Sequence, residues 1–479
     1  MNKSRTLASG AAWSYGLQIV TTLVQFGYAA ITTRVVSAQG FGEYSVSLAV
    51  AGFVSILANG GLAQTVGRLD TLDSRKMRAL GSYALLLGTA SATFLWFSAG
   101  FWAVLWSMPG ATLPVQVLSI SALLAPSLGL STGLLRRRSK FRAIALTTAF
   151  GNIVGMAIGV WAVNRWGNAA SLVVSTVVAQ IVILILAQVI NGRTAFGFGR
   201  LGQARAEISF SWNVTISGVL GYFVGNLSKW SVAREVSAGA LGNWNRADVV
   251  TTVPFQQLQN AMIQTVYPEF RHDIGNAQRA QRVWPDLLAL IAWITIPASV
   301  VSAVFIPVFL PILFGEGWEL AIELVPWLAL AAGILPVTTT LASAVEAMGA
   351  FKWVWATQVA LIGVQVLAVI AISRTHSIVP AIIALFATNA VRHAVHLIFC
   401  WRHRYLHVGR LIRNYMQVGL GGAVAWVWSV ALVYLFTLDA EQPWRAAALA
   451  MFVILSLASL WSCRNRLPPI VIVRKYKLI

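Results

Sequence analysis

Basic side chains near the ends of long apolar segments are the residues of this chain best suited to bind an anion. A basic side chain at the centre of a bilayer costs roughly 2.5–3.5 kcal/mol on insertion scales, so those that persist there tend to be functional. The candidates for a cationic cavity that draws an anion through the bilayer are Arg34, Lys229, Arg234, Arg246 and Arg392. The structural alternative is that they extend to the lipid headgroups or pair with Glu43, Glu235 and Asp248.

Amide side chains recur within the same apolar segments. Intervals of three and four residues place many of them on one helix face, and a polar face in a membrane must meet protein or a water-filled cavity. We interpret these residues as a polar seam that lines a hydrophilic cavity, with interhelical hydrogen bonding as the alternative. The seam comprises Gln18, Gln25, Asn59, Gln256, Asn260 and Gln264.

The elements that position these residues are predicted to be membrane-spanning helices. The chain has 479 residues, of which 58% are hydrophobic and only 10% charged, whereas a soluble domain is about 25% charged. This composition excludes a soluble globule and a disordered chain. A span needs about 20 mostly apolar residues. Fourteen segments qualify, near residues 11–33, 43–66, 79–104, 115–135, 143–164, 169–191, 207–229, 247–267, 284–313, 320–345, 353–373, 378–400, 415–437 and 444–463.

The charge distribution predicts the orientation of these spans. The chain has 35 Lys and Arg against 15 Asp and Glu, a formal net charge of +20. The even-numbered connections carry most of the basic residues and the odd-numbered ones carry few. Because basic loops stay in the cytoplasm, both termini are predicted to be cytoplasmic. The basic excess is therefore a topology signal, and a nucleic-acid partner is excluded.

An internal repeat at an offset of 200 residues divides the chain. Arg34-Val35-Val36-Ser37-Ala38 corresponds to Arg234-Glu235-Val236-Ser237-Ala238, and Gly42 corresponds to Gly242. Six helices separate the copies, so the halves have the same orientation, as in transporters with parallel repeats. We predict an N-terminal six-helix lobe over 1–206, a second six-helix lobe over 207–400, and two extra spans with a basic tail over 401–479.

The chain lacks the motifs of an enzyme. It contains no P-loop, no H-E-x-x-H and no plausible nucleophile elbow. We therefore predict a protein that is not an enzyme, needs no cofactor and binds no metal. Its energy would come from the substrate or from a gradient of H⁺ or Na⁺, with Asp248 and Glu346 as the candidate coupling residues.

The repeated turns resemble those of a known transporter family. The turn after the first span reads Arg34-x-Val36-Ser37 and then Phe41-Gly42-x-Tyr44. The second copy reads Leu241-Gly242-x-Trp244-Asn245-Arg246-Ala247, followed by Pro254 and Tyr267-Pro268-x-Phe270. These motifs are similar to those of the Wzx-type polysaccharide flippases of the multidrug/oligosaccharidyl-lipid/polysaccharide exporter superfamily. Ala38 and Gly40 stand where the family usually has proline and an acid, so no role of that acid is carried over.

The resemblance implies a function and a place in the cell. It implies two six-helix lobes around a central cationic cavity, which move undecaprenyl-diphosphate-linked oligosaccharide from the cytoplasmic to the outer leaflet of a bacterial inner membrane by alternating access. The product would be O-antigen, capsule or exopolysaccharide, with a polymerase or chain-length machinery as possible partners. Arginines suit a diphosphate, and an amide seam suits a sugar.

Other functions are weaker alternatives. A drug/cation antiporter of the same superfamily is disfavoured by the excess of basic over acidic residues within the spans. A polysaccharide polymerase or glycosyltransferase usually needs a sizeable extramembrane loop, and no connection here is long enough. A scaffold would not need polar residues in the middle of the membrane.

Overall fold

The computed structural model describes residues 20–59, 61–68, 73–138, 140–192, 198–273, 276–437, 451–456, 461–462, 465 and 467–475. These residues form helices and turns and contain no β-strand, which confirms the predicted all-α fold class. The first helices are α1 (Val20–Thr32), α2 (Ala38–Asn59), α3 (Leu62–Arg68), α4 (Ser74–Leu105), α5 (Thr112–Arg137), α6 (Phe141–Trp166) and α7 (Ala169–Asn191). The others are α8 (Arg205–Glu235), α9 (Ala238–His272), α10 (Ala277–Phe314), α11 (Glu319–Ala347), α12 (Phe351–Thr375), α13 (Val379–Arg402), α14 (Val408–Thr437) and α15 (Pro468–Lys475).

Ten of the described helices are long and apolar enough to cross a membrane, so the chain is a multi-pass membrane protein. They are α2, α4 to α7 and α10 to α14. Helices α8 and α9 occupy the seventh and eighth predicted spans but are not among the ten. Ser and Asn recur along α8, and Asn, Thr and Gln recur along α9. The described part of α1 is a shorter apolar helix. The total of fourteen spans stays a prediction.

The chain divides into two compact units. Unit 1 comprises Met1–Arg246, Phe314–Trp318 and Ala368–Ala381. Its apolar core joins α2, α4 and α5 through Val46, Val50, Leu95, Val115 and Leu118. Membrane helices gain little hydrophobic energy from association in lipid, so they pack through small residues that allow close approach.

The two copies of the repeat contact each other in unit 1, where the backbones of α2 and α9 lie close together. A Cβ atom on Gly42 of α2 would lie 1.9 Å from the Ala238 carbonyl oxygen of α9, and a Cβ atom on Gly242 would lie 1.9 Å from the Ala38 carbonyl oxygen. We call this reciprocal contact of Ala38, Gly42, Ala238 and Gly242 the glycine crossing. Only glycine allows the two backbones to pass at this distance.

Unit 2 comprises Ala247–Leu313, Glu319–Leu367 and Ile382–Ile479. Its core includes Phe270, Trp284, Leu341 and Phe399. The Trp284 ring stacks on the Tyr405 ring at a centroid distance of 5.2 Å, which ties the start of α10 to the turn between α13 and α14.

Candidate functional site

A cavity of about 180 Å³ lies in unit 1 between α2, α8 and the first residues of α9. We call it the Lys229 cavity. Its polar and aromatic lining comprises Ser45, Tyr222, Asn226, Lys229, Trp230, Trp244 and Asn245. Four of these residues belong to α8, where intervals of three and four residues place them on one helix face. The cavity therefore combines a cation with amides and aromatic rings.

The wall of the Lys229 cavity contains hydrogen-bond donors that the described protein does not use. The Tyr222 hydroxyl donates to the Ala49 carbonyl, and the Asn226 amide donates to the Tyr222 carbonyl at 2.9 Å. In contrast, the indole nitrogens of Trp230 and Trp244 are buried and have no hydrogen-bond partner among the described residues. Buried donors are nearly always paired, so these two are available to a ligand rich in oxygen acceptors.

Arg246 contacts Asn245, one of the residues that line this cavity. Its side chain is buried, and its Nη2 atom donates to Asn245 Oδ1 at 2.6 Å. Its guanidinium carbon lies 4.1 Å from the centre of the Phe41 ring, a cation–π contact. Among the described residues no carboxylate forms an ion pair with Arg246. Burying a cation without a counter-charge costs several kcal/mol, so this arginine is a strong candidate for binding an anion.

Two further contacts join helix ends in unit 1. The Phe41 ring packs edge to face on Trp318, with centroids 5.4 Å apart. The carbonyl oxygen of Glu235, at the end of α8, lies 3.0 Å from His376 Nδ1, in the turn before α13. Unit 1 also contains the turns after α1, α8, α10 and α12. All four turns are predicted to lie on the outer side of the membrane. Together with the glycine crossing, these contacts form what we call the outer contact.

Two predicted cations lie elsewhere in unit 1. Arg34 is exposed in the turn after α1, where its Cγ atom is 3.7 Å from the position of a Cβ atom on Gly315. The Arg234 side chain is 54% exposed and its Nε atom is 3.6 Å from Glu235 Oε1. An exposed pair of this kind contributes little energy. Neither arginine lines the Lys229 cavity, whereas Lys229 lines it and Arg246 adjoins it.

The fifth predicted cation, Arg392, lies on α13 in unit 2. Its neighbours connect α13 to other helices: His393 Nε2 is 3.1 Å from the Tyr415 hydroxyl, and His396 Nε2 is 3.3 Å from Thr357 Oγ1. These two histidines make the interhelical hydrogen bonds of the structural alternative.

The predicted amide seam is only partly described. Gln18 and the side chain of Gln264 lie outside the described residues. Gln25 is half-buried on α1, whereas Gln256 and Asn260 are exposed on α9.

The remaining amide, Asn59, packs inside unit 1. Its Oδ1 atom would lie 2.1 Å from a Cβ atom on Gly129 and has no hydrogen-bond partner among the described residues.

The two predicted coupling acids lie far apart in sequence within unit 2. Asp248 is half-buried on α9 and its Oδ1 atom accepts a hydrogen bond from Thr252 Oγ1 at 2.8 Å. Glu346 is exposed in the last turn of α11.

Most residues that line the cavity were not predicted from the sequence to belong to a site. Tyr222, Asn226, Trp230 and Asn245 were not singled out, although the first three share one face of α8 with Lys229. That periodicity was the available signal, but aromatic and amide residues on a membrane helix are also typical of ordinary packing.

Comparison with known proteins identifies the family. Residues 31–323, more than half of the chain, match the family described as "Polysaccharide biosynthesis protein". The chain belongs to this family. The matched region includes the glycine crossing, the Lys229 cavity and Arg246.

Individual relatives in this family are distant. The chain is 21% identical over 314 residues to "Lipopolysaccharide biosynthesis protein WzxC" of Escherichia coli (strain K12), covering 65% of this chain and 64% of that protein. The match thus spans less than two thirds of that relative's length. The chain is 24% identical over 402 residues to "Succinoglycan biosynthesis transport protein ExoT" of Rhizobium meliloti (strain 1021), covering 81% of this chain and 78% of that protein.

A solved structure has the same fold. It is described as "Lipid II flippase MurJ, inward closed conformation" and has a TM-score of 0.72 at 14% identity. The alignment covers 94% of this chain and 99% of that one.

Proposed function

We propose that this member of the polysaccharide biosynthesis family is a flippase for lipid-linked oligosaccharides. It would move an undecaprenyl-diphosphate-linked repeat unit from the cytoplasmic to the outer leaflet of a bacterial inner membrane, for O-antigen, capsule or exopolysaccharide synthesis. The names of its relatives, which refer to lipopolysaccharide and succinoglycan biosynthesis, support this proposal. A polysaccharide polymerase or chain-length machinery would take up the product.

The observation that carries the proposal is the combination of Arg246 with the Lys229 cavity. A diphosphate needs cations and N–H donors, which replace its water as it leaves the aqueous phase. Lys229, the indole N–H groups of Trp230 and Trp244, and the neighbouring guanidinium of Arg246 supply both kinds of group. The low dielectric of a buried site strengthens each of these interactions.

We further propose alternating access between the predicted lobes, 1–206 and 207–400. In this mechanism the outer contact closes one side of the pathway and separates to release the oligosaccharide. Arg34, Arg234 and Arg392, with the amide seam, would guide the headgroup. Asp248 or Glu346 would couple the movement to H⁺ or Na⁺.

Complementation of a deletion strain tests the proposed binding residues. Arg246→Gln and Lys229→Gln should each lower surface polysaccharide, because a lost charge-assisted hydrogen bond is worth about 1.5–3 kcal/mol and each 1.4 kcal/mol is about tenfold. Lipid-linked repeat units should accumulate in the inner leaflet.

The matched control is Arg165→Gln, which removes an exposed arginine from the end of α6. It should complement fully, and all three variants should reach the membrane at equal levels. Full complementation by both Arg246→Gln and Lys229→Gln would refute the proposed site.

A further inference from the structure

A second cavity, of about 660 Å³, lies in unit 2 at the end of the helices that the charge pattern places in the cytoplasm. We call it the α10–α14 cavity. Its side chains come from the start of α10 and from the start of α14 with the turn before it. They are Gln278, Gln281, Arg282, His407, Arg410 and Arg413. This volume lies within the range of small-molecule sites, about 300–1,000 Å³.

The lining of this cavity is suited to an anion. Among the described residues that line it, three are arginines and none is acidic. The 30-residue helix α14 begins at Val408, so the positive end of its dipole and its first backbone N–H groups are at the cavity. The Nδ1 atom of His407 accepts the Arg410 backbone N–H at 3.2 Å and caps this helix end.

Polar contacts connect the elements that line this cavity. Arg410 Nη2 lies 2.7 Å from Oδ2 of Asp286, which is 4% exposed on α10. Asn414 Nδ2 donates to the Pro285 carbonyl at 3.2 Å, and Gln281 Nε2 donates to the Arg404 carbonyl at 2.6 Å. These bonds connect α10 to α14 and to the turn before it. A topology signal needs only basic residues on one side of the membrane, whereas here Arg410 is positioned by a carboxylate that is 4% exposed.

We propose that the α10–α14 cavity binds a phosphate-bearing anionic headgroup at the cytoplasmic face. Guanidinium groups match phosphate oxygens in geometry and stay charged, and basic pockets between helices on this side of membrane proteins bind anionic lipid headgroups. Arg282, Arg410 and Arg413 all line the cavity, and Arg410 also pairs with Asp286. The proposal is independent of the flippase function.

Binding measurements on the purified full chain test this proposal with two probes. The first probe is phosphatidylglycerol in nanodiscs, compared with phosphatidylcholine, and the second is inorganic pyrophosphate in solution. The double variant Arg282→Gln/Arg413→Gln leaves the Asp286–Arg410 pair in place. This variant should bind whichever probe the unmodified chain binds, but about tenfold or more weakly, because two charge-assisted contacts are lost.

The control variant Arg200→Gln/Arg402→Gln loses the same charge from exposed positions outside the cavity. It should bind like the unmodified chain. A selective loss with phosphatidylglycerol identifies a membrane lipid as the ligand, and a selective loss with pyrophosphate identifies a soluble or substrate-borne diphosphate. Equal weakening in both variants, or no binding of either probe, would overturn the proposal.

Discussion

Substitution of the two crossing glycines should weaken the outer contact by a predictable amount. A Cβ atom on Gly42 or on Gly242 would lie 1.9 Å from a carbonyl oxygen of the other helix. Carbon and oxygen atoms in helix contacts stay about 3.3–3.6 Å apart, so α2 and α9 must separate locally by roughly 1.5 Å. Overpacking of this kind costs about 1–3 kcal/mol.

The reciprocal geometry makes a second, sharper prediction. One separation of α2 from α9 relieves both clashes, so Gly42→Ala/Gly242→Ala should cost clearly less than the sum of the two single variants. Contacting residues commonly show such coupling, at about 0.5–3 kcal/mol. Thermal unfolding of the purified chain, followed by far-ultraviolet circular dichroism, measures these costs. Each single variant should unfold roughly 1–3 °C lower, because the unfolding entropy of a chain of this length is about 1 kcal/mol/K.

The control is Gly239→Ala, in the first turn of α9. There the nearest atom to a new Cβ is Ser237 Oγ at 3.8 Å, an ordinary contact. Alanine favours a helix over glycine by up to about 1 kcal/mol, so this variant should be unchanged or slightly stabilised. Strictly additive losses at the two crossing positions, or no loss at either, would refute the reasoning.

Two further predictions concern single side chains. Asp286→Asn should lower stability by about 1.5–3 kcal/mol, because the carboxylate that it removes is 4% exposed and accepts a charge-assisted hydrogen bond from Arg410. Thermal unfolding should show a smaller effect for Glu207→Gln, whose lysine partner is 41% exposed. Trp230→Phe removes a buried N–H without a partner, so surface polysaccharide should fall while the unfolding temperature holds. Unchanged export, or a loss equal to that of the exposed Trp161→Phe, would contradict a ligand-binding role.

The sequence was sufficient to predict the helices but not their contacts. Apolar length alone located most spans, and the eighth is interrupted by the amides of α9. The equivalence of Gly42 and Gly242 was visible as a repeat, yet their contact was not, because the sequence carries no distance between α2 and α9. The same limit applies to Arg282 and Arg410, which were interpreted only as topology signals.

The candidate site was predicted in part, because the sequence gives the charge of each residue but not its burial. Lys229 and Arg246 were selected as rare cations near the spans; Lys229 lines the cavity, and Arg246 donates a hydrogen bond to Asn245, which also lines it. Arg34 and Arg234 satisfied the same rule but are exposed. Burial depends on neighbours from other helices, and Trp230 resembles an ordinary packing residue until its unpaired nitrogen is seen.

The glycine crossing has the form of the contact that two identical chains make across a two-fold axis, where each copy offers the other the same residues. Joining the copies in one chain frees them to differ. At an offset of 200 residues the counterpart of Arg246 is Val46, which is buried and apolar. Two identical copies would bury two such guanidinium groups, one on each side of the axis, and double the desolvation cost. The duplicated chain buries one guanidinium group here, that of Arg246. The difference between its halves therefore allows a single cation beside a symmetric contact.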